Sequence, residues 1–403
     1  MKQFGITVFV AALVGAACGV ASAVFLWLLA EATGVRTDHT ILVWLLPIAG
    51  LAIGALYARL GSKIKGGNNL VIDTIHDGGP EIPFRMMPMV LIGTVLTHLF
   101  GGSAGREGTA VQMGASMADW IIHRMKLSPT ARRQILAAGV AGGFGSVFGT
   151  PFAGMVFGME FVVLGHLEYE ALVPCAIAAF VGDVVARACG TVHTIYPTLD
   201  YTALSWSLAG KWLVVAVAIA AASTAFIELT HALKRVRLSL PIKMAIGGAV
   251  VVALWQLVGT DAYLGIGVTG ITSSFDHAAP SAFAWKLVFT AITLGAGFLG
   301  GEVTPLFFIG ATLGSALAIP LGIPVPLAAG VGLAAMFGTA SNTPLALSVM
   351  AIELLGANAL PHIAIVSGVA YAVASLGGRR SIYSSQRHRR TRLAIGVHRA
   401  NKK

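Results

Sequence analysis

Long apolar segments alternate with short polar loops along nearly the whole chain. The apolar segments lie at roughly 5–31, 41–60, 86–100, 108–122, 134–147, 150–165, 170–188, 210–230, 242–258, 282–299, 303–318, 325–338, 343–355 and 359–376. A helix needs about 20 apolar residues to cross the hydrocarbon of a bilayer, and several of these segments are shorter. We therefore predict helices that end inside the membrane, which is tolerated only where protein or water surrounds their free backbone groups.

The first apolar segment, from Ile6 to Leu29, predicts a retained transmembrane helix. It is longer than the apolar core of a signal peptide, and no small-residue cleavage site precedes the next polar stretch. The composition agrees, because 56% of the residues are hydrophobic and only 11% are charged, whereas soluble domains carry about 25% charged residues. The pattern predicts an all-α polytopic membrane protein.

The net charge of +10 is concentrated in short loops and in the C-terminal tail. The basic residues there are Arg59, Lys63, Lys65, Arg124, Lys126, Arg132, Arg133, Lys234, Arg235, Arg237, Arg379, Arg380 and those of the tail from Arg387 to Lys403. Cytoplasmic loops of membrane proteins carry such an excess of Lys and Arg. We therefore expect an inner-membrane protein with both termini in the cytoplasm. A nucleic-acid-binding tail is the alternative for the last residues, and we expect no nucleic-acid partner.

The cysteines give no sign of a metal site or a disulfide. Cys18, Cys175 and Cys189 are an odd number, scattered among apolar segments, without the spacing of metal ligands. We expect no metal and no cofactor. Because the chain ends soon after its last apolar segment, we also expect no large cytoplasmic regulatory domain.

Two short motifs recur in the two halves of the chain. FG followed by TPFA precedes Glu160, and FG followed by TPLA precedes Glu353, each glutamate nine residues after its proline (160 − 151 and 353 − 344). GREGTAVQMG at 105–114 likewise aligns with GEVTPLFFIG at 301–310. We predict two related transmembrane repeats, 1–200 and 201–385, followed by a basic cytoplasmic tail at 386–403. Broken helices at matching places of two repeats indicate a transporter's binding site.

Three glycine-containing stretches are candidates for that site: 66–73, 105–112 and 300–307. A helix that begins inside the membrane directs free N–H groups and the positive end of its dipole at an anion. Glycine lets the backbone approach closely. Together the three stretches predict one dehydrated anion site.

Two carboxylates, Glu107 and Glu302, fall within these stretches. A carboxylate is itself an anion, and burial favours its protonated form, so each could carry a proton. A structural ion pair between Arg106 and Glu107 is the alternative, but adjacent helical residues do not face each other. For Glu302 the alternative is simple stabilisation in the first turn of a helix.

Other polar residues are better explained by structure than by chemistry. We expect Glu160 and Glu353 to belong to the repeat architecture, and His98 to be a satisfied core histidine. The glycine run at 101–108 lacks the G-K-[ST] ending of a phosphate-binding loop, so nucleotide binding is not indicated.

The motifs together resemble those of the CLC superfamily of chloride channels and anion/proton antiporters. Gly105-Arg106-Glu107-Gly108 matches the family's gating motif, with Glu107 as the gating glutamate. The segment from Gly301 to Pro305 matches an anion-binding G-x-F-x-P segment, and 377–383 matches the context of a tyrosine, here Tyr383. The resemblance covers nearly the whole chain. It implies a CLC-like fold of two inverted-topology repeats with tilted and broken helices.

Four departures from the chloride-handling pattern resemble the fluoride/proton antiporter branch of that superfamily. Thr109 stands in place of a proline, Asn68 in place of the central serine, Phe161 in place of the internal proton-path glutamate, and Glu302 in place of an apolar residue. Fluoride is small and strongly hydrated, so its site needs strong donors. The Asn68 amide offers an N–H₂ group where serine offers one hydroxyl.

The resemblance implies export of fluoride from the cytoplasm in exchange for protons by a homodimer with one pathway per subunit. Glu107 would gate the central site and couple protons, and Glu302 would relay protons on the inner side. Thr304 would hydrogen-bond one of these carboxylates. The implied anion-binding residues are Asn68, Arg106, Gly108, Thr109, Val303 and Tyr383. A chloride/proton antiporter or chloride channel is the alternative within the family. An intramembrane enzyme with a carboxylate pair is the alternative outside it, and we expect no enzyme.

Overall fold

A computed structural model describes residues 2–163, 166–376, 378 and 381–386. The predicted basic tail, apart from Gln386, lies outside these residues, as do Arg379 and Arg380. Within them the chain forms helices and loops without a strand, so the all-α prediction is confirmed. The helices are α1 Lys2–Asp38, α2 Ile41–Trp44, α3 Leu46–Leu60, α4 Asn68–Asp77, α5 Met86–Leu99, α6 Glu107–Met125, α7 Pro129–Phe148, α8 Pro151–Glu160, α9 Leu172–Ala188, α10 Trp206–Lys234, α11 Leu240–Val258, α12 Val268–Ser273, α13 Ala282–Ala296, α14 Val303–Leu321, α15 Val325–Ser341, α16 Pro344–Leu355 and α17 Leu360–Leu376.

Helix lengths vary as the apolar pattern predicted. In the described part of the chain, six helical segments are long and apolar enough to cross a membrane, beginning with Phe4–Asp38 and ending with Ala357–Leu376. Others are too short, among them α3, α5, α13 and α16. The prediction of apolar helices too short to cross a membrane is therefore confirmed. The apolar segment predicted at 303–318 ends before α14 does, since α14 continues to Leu321 and is long enough to cross.

The two halves pack their helices through matching glycines. A side chain on Gly114 of α6 would collide with the carbonyl oxygen of Gly139 on α7, and one on Gly310 of α14 would collide with that of Gly332 on α15. Gly114 and Gly310 occupy the same position in the aligned motifs GREGTAVQMG and GEVTPLFFIG. Both motifs thus bring their helix into backbone contact with the next one, which only glycine permits.

Glu160 and Glu353 bind the halves to each other. Glu160, at the end of α8, accepts hydrogen bonds from the backbone N–H groups of Leu345 and Ala346 at the start of α16, at 3.2 and 2.7 Å. Glu353, near the end of α16, accepts bonds from the first turn of α8 at 3.0 and 2.7 Å. Each carboxylate satisfies N–H groups that lack helical partners. The prediction that these glutamates belong to the architecture is confirmed.

Candidate functional site

Helices α6 and α14 begin beside each other in the middle of the protein. The residues before them pair through their backbones: Gly105 donates to Gly301 at 2.6 Å, and Gly301 donates to Gly105 at 2.7 Å. A Cβ atom on Gly301 would lie 2.7 Å from the backbone nitrogen of Gly108. The absence of side chains at this crossing therefore lets two helix N-termini converge on one place, where both favour negative charge.

The Glu107 side chain occupies the place where these helix ends converge. It is completely buried. The Thr304 hydroxyl lies 2.6 Å from both carboxylate oxygens and can donate to either, while the Thr304 amide donates at 3.2 Å. The Arg106 amide and its Nε also donate, each at 3.2 Å. Glu107 is thus surrounded by hydrogen-bond donors from Arg106 and Thr304.

The expectation that Arg106 and Glu107 do not pair was wrong. Their side chains form an ion pair at 3.2 Å. The spacing rule applies to two residues inside a helix, whereas Arg106 precedes the first turn of α6 with a φ of −118°. Its side chain is therefore free to turn back onto its neighbour.

Glu302 lies immediately before α14, one position earlier than the first turn in which we expected it. The residue is 7% exposed, and its carboxylate accepts a hydrogen bond from the Asn68 amide nitrogen at 3.4 Å. The Tyr383 hydroxyl donates to the same carboxylate. Glu107 and Glu302 are close enough to repel each other electrostatically. The structure thus groups Asn68 and Tyr383 around Glu302, and Thr304 around Glu107.

Asn68 begins α4, and the chain reaches it through Gly67, whose φ of +54° suits glycine. Its amide nitrogen lies 3.1 Å from where a Cβ on Gly108 would stand. The three stretches 66–73, 105–112 and 300–307 therefore meet around Gly108. The Asn68 carbonyl oxygen, Oδ1, is buried without a hydrogen-bond partner.

A cavity of about 200 Å³ lies on the Glu302 side of this group. Polar residues line much of it, and the basic residues Lys65 and Lys234 are among them. The lining residues are Tyr57, Ile64, Lys65, Gly66, Gly67, Asn68, Asn69, Val90, Thr109, Gln112, Lys234, Leu294, Gly297, Phe298, Leu299, Gly300, Glu302, Ile382 and Tyr383. Glu302 therefore borders the cavity, whereas Glu107 is not among the residues that line it.

The remaining predicted residues lie around the same centre. Thr109 lines the cavity, and its hydroxyl lies 2.8 Å from that of Thr94. Val303 is the first residue of α14 and is buried. The amide that contacts Glu107 belongs to Thr304, one residue beyond the Val303 amide that we assigned to the ion. Phe161 is fully buried, and its ring meets Tyr383 edge to face at 4.9 Å. An apolar ring therefore occupies the position at which the family resemblance implied the loss of a glutamate.

His98 lies outside this group. It is fully buried, and its ring nitrogens lie 2.7 Å from the Thr94 carbonyl and 2.9 Å from the Ala104 carbonyl. The prediction of a core histidine with hydrogen-bond partners is confirmed. It steadies the loop that leads to Gly105.

Sequence reasoning missed Gln112 and Lys234 as cavity residues. Gln112 follows Gly108 by one helical turn on α6, so the spacing alone indicated that both face the same side. Lys234 was counted only among the basic loop residues, yet it ends α10 and its charge acts on Glu302. Nothing in the local sequence indicates that this helix end reaches the cavity.

The family model described as voltage gated chloride channel matches residues 49–375. The chain belongs to the CLC family. A chloride/fluoride channel protein of Pseudomonas syringae pv. tomato is 46% identical over 94% of this chain and 85% of its own length. An H(+)/Cl(−) exchange transporter of Vibrio vulnificus is 26% identical over 94% of this chain and 89% of its own length.

The CLC fold is equally evident from solved structures. A CLC-type fluoride/proton antiporter superposes with a TM-score of 0.91 at 33% identity, covering 96% of this chain and 98% of the other. A slow cyanobacterial Cl−/H+ antiporter superposes with a TM-score of 0.81 at 18% identity, over 94% of this chain and 96% of the other. The predicted CLC-like architecture is confirmed, and the protein is a multi-pass membrane protein.

Proposed function

We propose that this CLC protein is a fluoride/proton antiporter that exports fluoride from the cytoplasm in exchange for protons. One observation carries the proposal: a titratable carboxylate, Glu107, sits among anion donors at two converging helix N-termini. A 33% identical fluoride/proton antiporter with the same fold supports the choice of ions. The export would keep cytoplasmic fluoride tolerable for the cell.

Glu107 and fluoride would compete for the same donors. While ionised, the carboxylate accepts from the Thr304 hydroxyl and amide and from Arg106. A proton removes its charge, so these donors no longer favour it over a free anion. Glu107 then leaves, and fluoride takes the Thr304 hydroxyl, the Arg106 guanidinium and the backbone amides of Gly108 and Val303. Return of ionised Glu107 expels the ion, which couples the two movements.

Glu302 would carry the proton between Glu107 and the inner cavity. It borders the cavity and stands close to Glu107. Asn68 and Tyr383 hold its carboxylate, and Phe161 closes the position from which other CLC members relay protons. Thr109 and Asn68 would line the route of the ion to the cavity.

The proposed preference for fluoride over chloride rests on the number of hydrogen-bond donors around Glu107. Fluoride holds its water strongly, so a dehydrated site must replace that water with short, strong donors. Thr304 and Arg106 already hold the Glu107 oxygens at 2.6–3.2 Å. From the family resemblance we also propose a homodimer with one pathway in each subunit, in the inner membrane, with both termini in the cytoplasm.

The test is proton coupling in liposomes that contain the Glu107→Gln variant. Glutamine keeps the size of the side chain but cannot take up a proton, so we expect no fluoride-driven proton movement. Glu353→Gln, at the architectural carboxylate, is the matched control and should keep coupling. Proton pumping by Glu107→Gln at the wild-type level against a fluoride gradient would refute the mechanism.

A further inference from the structure

A second group of buried basic side chains lies away from Glu107 and Glu302. Arg36 comes from the end of α1, and Lys286 from the first half of α13. Arg36 is 5% exposed and Lys286 is not exposed at all. They are close enough to repel each other electrostatically. Burying a charge without a partner is costly, so a negative charge nearby would stabilise the two cations.

The loop before α12 holds the two cations together. Lys286 donates to the carbonyl oxygens of Tyr263 and Gly265 at 3.2 and 2.8 Å, and its nitrogen lies 5.4 Å from the centre of the Phe308 ring. A Cβ on Gly265 would lie 3.5 Å from an Arg36 guanidinium nitrogen and 4.0 Å from the His98 ring. Three basic side chains from three helices thus surround one glycine.

No carboxylate neutralises this cluster in the part of the chain that the structure describes. Neither Arg36 nor Lys286 forms an ion pair there. Asp261 acts on Arg36 only through its longer-range charge, and it is exposed and accepts a hydrogen bond from Trp255 at 2.5 Å. In place of a carboxylate, Lys286 contacts two backbone carbonyl oxygens and the face of the Phe308 ring.

The Arg36 guanidinium has N–H donors without a hydrogen-bond partner. Its Nε and one of its terminal nitrogens are shut off from solvent and have no hydrogen-bond partner. A buried donor left unpaired costs about 1–3 kcal/mol, more when it is charged. Lys286 has three N–H groups, of which two are accounted for by carbonyls.

We propose that Arg36 and Lys286 bind a small monovalent anion of the halide class. The anion accepts the free N–H groups of Arg36 and the third N–H of Lys286, and it neutralises the buried charge. The site is separate from the cavity beside Glu302, because Lys286 precedes the cavity residue Leu294 by eight positions of α13, about 12 Å of helical rise. It does not depend on the exchange of fluoride for protons.

Thermal unfolding of the purified full-length protein tests the site. Wild type and Arg36→Met are heated in sodium fluoride or sodium chloride and in sodium gluconate of equal ionic strength. A ligand that binds only the folded state raises its Tm, so halide should raise the wild-type Tm by at least about 2 °C more than that of Arg36→Met. Glu107 and Thr304 are unchanged in both proteins, so the difference isolates the cluster. Equal halide-dependent rises in both proteins would overturn the proposal.

A second measurement needs no variant. Crystals of the wild-type protein grown in sodium bromide should give an anomalous difference peak in contact with the Arg36 guanidinium and the Lys286 ammonium. Bromide peaks elsewhere in the molecule with none at this cluster would overturn the proposal. Either result is independent of whether the protein exchanges fluoride for protons in liposomes.

Discussion

Thr304 is the side chain on which the chemistry of Glu107 depends most directly. Its hydroxyl is 2.6 Å from both carboxylate oxygens, and both residues are buried from bulk solvent. A hydrogen bond to a charged group contributes about 1.5–3 kcal/mol. The same hydroxyl is available to fluoride when Glu107 leaves, so it serves both occupants of the site.

We predict that Thr304→Val lowers proton-coupled fluoride flux at least about tenfold, because one donor of about 1.5–3 kcal/mol is lost. Thr304→Ser keeps the hydroxyl and should keep most of the flux. Fluoride efflux from liposomes, with internal pH recorded, measures both variants. Flux through Thr304→Val equal to that of Thr304→Ser would show that the hydroxyl has no part in transport.

At the residue scale, the sequence indicated which side chains meet but not how they pair. Glu107, Glu302 and Asn68 stand in motifs whose glycines and repeat positions mark helix starts, so their grouping could be expected. The Arg106–Glu107 ion pair could not be expected, because it forms only if α6 begins at Glu107 and leaves Arg106 outside the helix. Lys286 and Arg36 are far apart in sequence, and only the packed helices bring them together.

At the scale of elements, the paired starts of α6 and α14 are the feature that makes a site. The backbone bridge between Gly105 and Gly301 leaves no space for side chains. Helix ends repel each other when their positive ends meet, so this arrangement persists only because the bridge and the bound carboxylate hold it.

Gly301→Ala should therefore separate the two helix starts and reduce fluoride flux at least about tenfold, since its Cβ would lie 2.7 Å from a backbone nitrogen and overpacking costs about 1–3 kcal/mol. Gly210→Ala in α10 is the matched control, because nothing lies within 4 Å of its Cβ. Liposome flux normalised to the amount of folded protein distinguishes the two. Wild-type flux in Gly301→Ala would mean that the close approach is not required.

The hydrogen bonds of Glu160 to the start of α16 and of Glu353 to the start of α8 should stabilise the fold without affecting proton coupling. Glu160→Gln and Glu353→Gln each lose charge-assisted bonds to a helix start, so each should lower the free energy of unfolding by about 1.5–3 kcal/mol. The two sets of hydrogen bonds lie near opposite ends of α8, at Phe152 and at Glu160, eight residues (160 − 152) or about 12 Å apart, so the effects should add in the double variant. Denaturation in mixed micelles measures the free energy of unfolding of each variant. A double variant no less stable than either single variant would contradict it.

At the scale of the whole molecule, the basic loops support the proposed orientation in the membrane. Arg133 lies 4.0 Å from Glu168, so the residues before α9 lie beside the first turns of α7, which follows the basic loop after α6. Helix α9 runs 17 residues, about 25 Å, away from that loop. If the loop is cytoplasmic, the residue after α9, Cys189, faces the outside of the cell.

Cys189 is exposed, whereas Cys18 and Cys175 are buried. Chemical labelling of Cys189 can therefore report the orientation of the protein in the membrane. We predict that a membrane-impermeant maleimide labels the protein in intact spheroplasts and that Cys189→Ser abolishes this labelling. Labelling confined to inside-out vesicles would reverse the proposed orientation.

The sequence predicted the architecture well because membrane helices satisfy their own backbone groups, so apolar length and glycine position largely decide where they begin and end. It placed an apolar segment on every helix of the described chain except α4 and α12, and it merged α2 and α3 into the single segment 41–60. It did not indicate that Lys234 reaches the cavity or that α14 extends to Leu321, because both depend on contacts between distant segments.

The most direct test of the account is anion efflux from liposomes containing the wild-type protein, with fluoride compared against chloride and internal pH recorded in the same experiment. We expect strong preference for fluoride, with protons moving uphill as fluoride leaves. Equal or greater chloride flux, or fluoride flux without proton movement, would contradict the central claim that Glu107 exchanges places with fluoride.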